Sequence, residues 1–379
     1  MNQDHRVTDN ILRRLLSVLT MVGVSVFVAV WFLQRMNTSP AVPVVQSSKL
    51  RVSEQRCAEC HSETTTSFAS APHSKTLSRI SDPEVARRFE NRSFHNELTG
   101  VRFRYEMRNG RLVLSTSAYA RELYIDWVFG SGTHAMTPLI TWADDLGETC
   151  GIEHGVSWYP GDELGVTLGM EKLYESEGIL ALGNPRPSAE VINCFGCHSS
   201  YVPVNGRVVD LENIEPGVGC IRCHVDAERH LGEMDQGLPS HPERLSTLTP
   251  IESVNRCGEC HRRADEMSGD ILPEDQSLAR FASVGLVQSA CFKQQHRVTN
   301  ASGEPVRLDC NSCHNPHQGT PTDWRIHTSV CLSCHKSGDP QIAECHSSAR
   351  DENCLSCHMP QQPANENLHF TDHWIRVRK

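Results

Sequence analysis

The stretch Gly217-Val-Gly-Cys-Ile-Arg-Cys-His224 holds two cysteines three residues apart, with a histidine directly after the second. The same Cys-x-x-Cys-His spacing recurs at Cys57–His61, Cys194–His198, Cys257–His261, Cys310–His314, Cys331–His335 and Cys354–His358. Seven segments thus use 14 of the 17 cysteines and leave Cys150, Cys291 and Cys345 over. With 17 cysteines and 20 histidines in 379 residues, chance alone would give about 0.04 such segments. The repeat is therefore a chemical requirement.

Cys-x-x-Cys-His is the attachment signature of c-type haem. Two thiols add to the two vinyl groups of one porphyrin, and a short helical turn brings both sulfurs within reach. The next residue then aims an imidazole at the iron from the same side, so one segment sets both the position of the ring and one axial ligand. The expected attachment residues are Cys57, Cys60, Cys194, Cys197, Cys220, Cys223, Cys257, Cys260, Cys310, Cys313, Cys331, Cys334, Cys354 and Cys357. The proximal ligands would be His61, His198, His224, His261, His314, His335 and His358. Zinc sites also use Cys-x-x-Cys but need no histidine after every pair. Disulfide frameworks need no such repeat, and a thioredoxin-like centre occurs once, in a βαβ setting. Seven covalent haem c groups are the expectation.

Composition agrees with a porphyrin-filled interior. Hydrophobic residues make up 38% and aromatics only 6%, low for a chain that must bury a core of this size. The net charge of −10 argues against a nucleic-acid surface, which needs basic patches to displace counterions. It favours redox partners with basic docking surfaces. The sequence leaves the oligomeric state open.

Leu15–Leu33 is a run of 19 residues without charge, preceded by Arg13 and Arg14. Its length and the positive-inside rule predict a single transmembrane anchor with a cytoplasmic N-terminus. A cleaved signal peptide is the competing reading, but Gln34-Arg35-Met36-Asn37 offers no small-residue cleavage site. The expected location is the inner membrane, with the haem-bearing part in the periplasm. Asn37–Ser48, with two prolines, reads as a tether.

The expected organisation is a tail and anchor over 1–36, a linker over 37–50, a first haem segment over 51–96, a β-rich insert over 97–190 and a six-haem domain over 191–379. Within the insert, Val101–Tyr105 and Leu112–Ser115 flank Asn109-Gly110, a two-residue hairpin signal. Tyr119–Phe129, Leu139–Trp142 and Gly151–Trp158 read as further strands, and Glu274–Val287 as an amphipathic helix. The predicted fold class is a mostly α and irregular multihaem scaffold with a small antiparallel β insert and one N-terminal transmembrane helix.

Several phrases extend beyond the motif itself. They include Cys57-Ala-Glu-Cys-His followed by Phe68-Ala-Ser-Ala-Pro-His73, and Phe129-Gly-Ser-Gly-Thr-His134 with Val156-Ser-Trp-Tyr-Pro160. To these add Gly217–His224 with His230, Cys310-Asn-Ser-Cys-His-Asn-Pro-His317, and Cys354-Leu-Ser-Cys-His-Met-Pro360 followed by His369-Phe-Thr-Asp-His373. In these features the chain resembles a multihaem cytochrome superfamily. That superfamily includes the tetrahaem cytochrome and hydroxylamine oxidoreductase of nitrifying bacteria, together with periplasmic cytochromes that carry paired motifs.

The resemblance covers most of Arg56–Lys379 and implies closely stacked haems, usually with histidine on both sides of iron. It implies distal ligands at His73, His230, His317 and His373, with His134 and His369 as further metal candidates; a surface or propionate-bonding role competes for the last two. His95, His154, His241, His296, His327 and His346 remain, as do Met107, Met136, Met170 and Met359. Relatives often carry a cysteine pair where Cys291 and Cys345 stand, so a disulfide there competes with two separate thiols. No Cys-x-x-Cys-Lys motif and no matched crosslinking tyrosine is present, so neither of the family's specialised catalytic haems is implied.

Two functions follow from this reading. One is a membrane-anchored carrier passing electrons between a membrane donor and a periplasmic acceptor. The other is an oxidoreductase acting on a small nitrogen or sulfur species at one five-coordinate haem, for which Arg102, Arg104, Tyr105, Tyr119, Arg121 and Tyr124 of the insert are a candidate cover, with a solvated sheet of alternating polar residues as the favoured reading of that set. An electron carrier is favoured over a catalyst, and no catalytic residue is designated.

Overall fold

The protein is described from a computed structural model, which covers residues 54–299, 305–335 and 353–378. Leu15–Leu33, the Asn37–Ser48 tether, His5, Cys345 and His346 lie outside the described residues, and with them the anchor and the Cys291–Cys345 pairing. Among the described residues no helix is long and apolar enough to cross a membrane, and the expected transmembrane helix is not seen among them.

The fold class also needs correction. The chain is not mostly helical: seventeen strands form six sheets among the described residues. Helices are short, the longest described being the twelve residues Pro250–His261. Eleven strands precede the second motif: β1 Leu77–Arg79, β2 Ser93–His95, β3 Arg102–Arg108, β4 Arg111–Thr116, β5 Leu123–Ile125, β6 Trp127–Phe129, β7 Thr137–Ala143, β8 Thr149–His154, β9 Val156–Tyr159, β10 Glu163–Val166 and β11 Gly183–Arg186. A five-stranded antiparallel sheet runs β1-β6-β7-β8-β11, a four-stranded one β2-β3-β4-β5, and β9 pairs with β10. The Cys-x-x-Cys-His motif asks for only one helical turn, so seven motifs do not add up to a helical protein.

Local chemistry explains the strands. Asn109 and Gly110 take positive φ values of 52° and 76°, the left-handed pair that a two-residue hairpin needs to match the strand twist. Along β3, Phe103 and Tyr105 are buried while Arg102 and Arg104 are exposed, the period of two of a sheet with one wet face. The expected strand Tyr119–Phe129 divides at Asp126: β5 joins the four-stranded sheet and β6 the five-stranded one. The Asp126 carboxylate accepts three bonds from Arg111, at 3.1, 2.9 and 2.8 Å, which ties the corner to the hairpin. Gly151–Trp158 likewise divides at Gly155, whose N–H donates to the Leu182 carbonyl at 2.8 Å.

The five-stranded sheet is covered on both faces. Val128, Ile140 and Ile152 pack with Phe103, Leu112, Leu114 and Ile125 of the other sheet. Their neighbours Trp127 and Leu139 point the opposite way, against Val191, Ile192 and Phe195 of the helix Ser188–His198. That helix carries the second motif, so the sheet is its platform.

Beyond Cys194, small sheets interrupt the motif-bearing turns: Ser199–Tyr201 with Glu215–Pro216, Val204–Asn205 with Val208–Val209, and Gln361–Asn365 with Leu368–Thr371. The expected helix Glu274–Val287 is instead a 3-10 turn, Gln276–Arg280, and a separate helix, Ala282–Gln288. They break at Phe281, where φ −112° and ψ 75° leave the helical region. The buried apolar cluster of this half is small, Val254, Leu286, Val287 and Phe292.

One polar pair lies inside the sheet core. His154 Nδ1 meets the Leu182 carbonyl at 2.8 Å, which can only accept, so Nδ1 donates. Nε2 then accepts from the Tyr105 hydroxyl at 2.7 Å. Burial holds His154 neutral and lowers its pKa from 6.5 to about 4. The folded value lies below the unfolded one, so stability is full above about pH 6.5 and is lost on acidification. The loss reaches about 3 kcal/mol by the folded value of about 4. Chemical unfolding of the wild type should show this slope between pH 6.5 and 4, and His154→Gln should remove that share of it. Tyr105→Phe leaves Nε2 buried without its donor and should cost about 1–3 kcal/mol at pH 7.

Candidate functional site

Each motif folds as a helical turn. The histidine N–H donates to the carbonyl of the first cysteine at 2.8 Å in the first motif, 2.9 Å in the third, 3.0 Å in the fifth and 2.9 Å in the sixth. The second, fourth and seventh motifs end the helices Ser188–His198, Pro250–His261 and Cys354–His358. Residues three and four apart share a helix face, so both thiols and the imidazole of each motif point the same way. The fourth motif has a strong start: Pro250 at the first turn and a reciprocal Thr249–Glu252 capping box.

The imidazoles come in facing pairs. His61 lies opposite His230 with ring centroids 6.4 Å apart, and His73 opposite His261 at 6.1 Å. His224 faces His317 at 6.2 Å with planes only 6° apart, and His314 faces His373 at 6.2 Å. Two imidazoles bound through Nε2 to one iron, at about 2 Å each, would hold their centroids about 6 Å apart. His327 also approaches His314, at 6.0 Å, but its Nε2 is engaged with the Pro321 carbonyl at 3.0 Å. His373 instead bonds the Thr371 carbonyl through Nδ1 at 2.9 Å and leaves Nε2 free.

The same orientation recurs among the motif histidines. Nδ1 of His198 meets the Thr76 carbonyl at 3.0 Å, and that of His358 the Arg376 carbonyl at 3.1 Å. A carbonyl on Nδ1 puts the proton there and leaves the Nε2 lone pair for a metal. Burial lowers the pKa of His261 and His314 to about 4, so both stay neutral.

These residues fit haem in three further respects. Burial pushes the thiols of Cys194, Cys223 and Cys331 up to about 11, as apolar surroundings do. Buried nitrogens of Arg222, Arg256 and Arg378 have no hydrogen-bond partner, where propionates would supply acceptors. Among the described residues, no three His, Cys, Asp or Glu side chains converge as a zinc site requires.

The motifs also touch one another. The Cys57 thiol meets Cys220, Cys197 meets Cys260, and Cys257 meets Cys310. Cys223 lies within electrostatic range of Cys257 and Cys260, and Cys331 within range of Cys313 and Cys354. The contacts run first–third–fourth–fifth–sixth–seventh, with the second motif beside the fourth.

Sequence order does not predict the pairing. His73 follows the first motif yet faces the fourth, and His230 follows the third yet faces the first. His134 is exposed and lies against Phe370, with ring centroids 5.3 Å apart. His369 is exposed on the Leu368–Thr371 strand. Among the described residues neither pairs with a motif imidazole. Cys291 and Cys150 are free thiols, Cys291 lying within range of Cys313 and Cys331.

The Arg and Tyr set of the insert does not gather over a motif: Arg102 and Arg104 are exposed, Tyr105 is in the sheet core, and Tyr124 stacks under Arg111 at 4.2 Å. The unpartnered nitrogens of Arg222, Arg256 and Arg378 escaped the sequence reading, because an arginine beside a motif looks like any solvated arginine.

Replacing Cys220 and Cys223 together by serine should lower the haem content by one per chain, read as pyridine haemochrome absorbance and intact mass.

No family model matches the sequence, and neither does any curated protein. Among solved structures, the fold is similar to the crystal structure of the outer cell wall cytochrome OcwA. The TM-score is 0.49 and the identity 12%, over 86% of this chain and 79% of that one.

Proposed function

We propose that this chain is a heptahaem c-type cytochrome that carries electrons between a donor and an acceptor outside the cytoplasm, where covalent haem attachment is completed. One observation carries the reading: seven motif turns present two thiols and an imidazole on one face, and four of those imidazoles face a second imidazole at iron-bridging separation. Haem supplies a reversible one-electron centre at each motif.

The chain's own residues set how those centres behave. The facing imidazoles of His61 and His230, His73 and His261, His224 and His317, and His314 and His373 would hold an iron between them and favour carriage over substrate binding. Backbone carbonyls at Thr76, Arg376 and Thr371 fix the tautomer and orientation of His198, His358 and His373. Thiol contacts join the first motif to the third, the second to the fourth and the fourth to the fifth, and would keep those centres close enough for stepwise transfer. The net charge of −10 steers basic redox partners to the surface, an attraction that weakens with salt.

His317→Ala should convert about one haem in seven from low spin to high spin in the ferric protein while haem content stays at seven. His327→Ala should leave the spectrum at wild type, because Nε2 of His327 is spent on Pro321. Electron paramagnetic resonance and optical spectra read both. A wholly high-spin wild-type protein would remove the carrier reading.

A further inference from the structure

In the turn Cys220–Cys223, Arg222 stands two residues after the first thiol, roughly 200° around the helix. Cys220, Cys223 and His224 share one face, so Arg222 projects from the other, away from its own motif and towards its neighbours. Its guanidinium lies beside the Cys260 thiol of the fourth motif and within electrostatic range of Cys197 of the second. Those two thiols meet each other. Three motifs therefore converge on this one side chain.

No side-chain carboxylate among the described residues offsets the charge there. Arg256 reaches the same region, near Cys223 and Cys257, but pairs with Glu243 at 3.3 Å and Glu259 at 3.6 Å. Arg222 has no carboxylate partner among the described residues, and its Nε is buried without any acceptor. A cation in a half-buried site is screened far less than one in water.

We infer that Arg222 is a fixed positive charge at the junction of the second, third and fourth motifs, raising the reduction potentials of the three haems attached there relative to the rest. The inference rests on the cytochrome reading proposed above. Reduction adds one electron and no proton at each iron, so a nearby guanidinium favours the reduced form by simple Coulomb attraction. The second motif then branches from the path at its most electron-retaining point.

The test is a spectroelectrochemical titration of the full chain, with haem content measured first on the same preparations. Arg222→Gln should retain seven haems and move about three sevenths of the titrating absorbance to lower potential. Arg222→Lys, which keeps the charge, should titrate close to wild type. Superimposable curves for wild type and Arg222→Gln would overturn the proposal, as would a uniform shift of all seven centres or a lysine variant that shifts as far as the glutamine one. Should the glutamine variant load fewer haems, Arg222→His decides: potentials of the junction haems that fall as pH rises through the imidazole range support it, and a pH dependence equal to wild type refutes it. A wild type without haem would sink the cytochrome reading itself, a different result from an unmoved titration.

Discussion

One helical turn holding two thiols and an imidazole on a single face is the constraint on which this structure depends. A turn that short cannot hold itself together in water, because nucleation fixes several backbone angles for one hydrogen bond. It needs packing on at least one side, and the chain meets that need in two ways. The second motif is the C-terminal end of a helix seated on the five-stranded sheet through Val191, Ile192 and Phe195. The fourth starts from a capping box and a proline and packs through Val254. Other motif turns, such as Cys220–Cys223 and Cys310–Ser312, are four and three residues long and contain no buried residue. For these, an attached porphyrin would be the packing partner that the side chains do not supply.

The facing imidazoles tie these turns into one body. His230 links the third-motif region to the first motif, His73 the first-motif region to the fourth, His317 the fifth-motif region to the third, and His373 the C-terminal segment to the fifth. Each tie joins segments far apart in sequence. Ligation across these pairs would do for the motif-bearing half what the sheets do for the insert. Val128, Ile140 and Ile152 meet Phe103, Leu112 and Leu114 in an ordinary side-chain core, with the Tyr105–His154 pair fully satisfied inside it.

Charge is arranged on the same plan. Several surface arginines are paired, as Arg108 with Glu122 and Arg111 with Asp126, contacts worth little in stability at such exposure. The unpaired nitrogens lie inward, on Arg222, Arg256 and Arg378 near the motifs.

The sequence by itself carried the attachment signature, because Cys-x-x-Cys-His lies within one turn and needs nothing from afar. It determined the Asn109-Gly110 hairpin for the same local reason. The extent of the sheets was hidden, since strands as short as Leu77–Arg79 and Ser93–His95 carry no periodic signal and exist only through their partners Trp127–Phe129 and Arg102–Arg108. Which distal histidine serves which motif was hidden as well. His73 stands twelve residues after His61 and faces His261, because only the folded chain sets which imidazoles come within one iron's reach. Tertiary structure alone decided those pairings and placed Arg222 where three motifs meet.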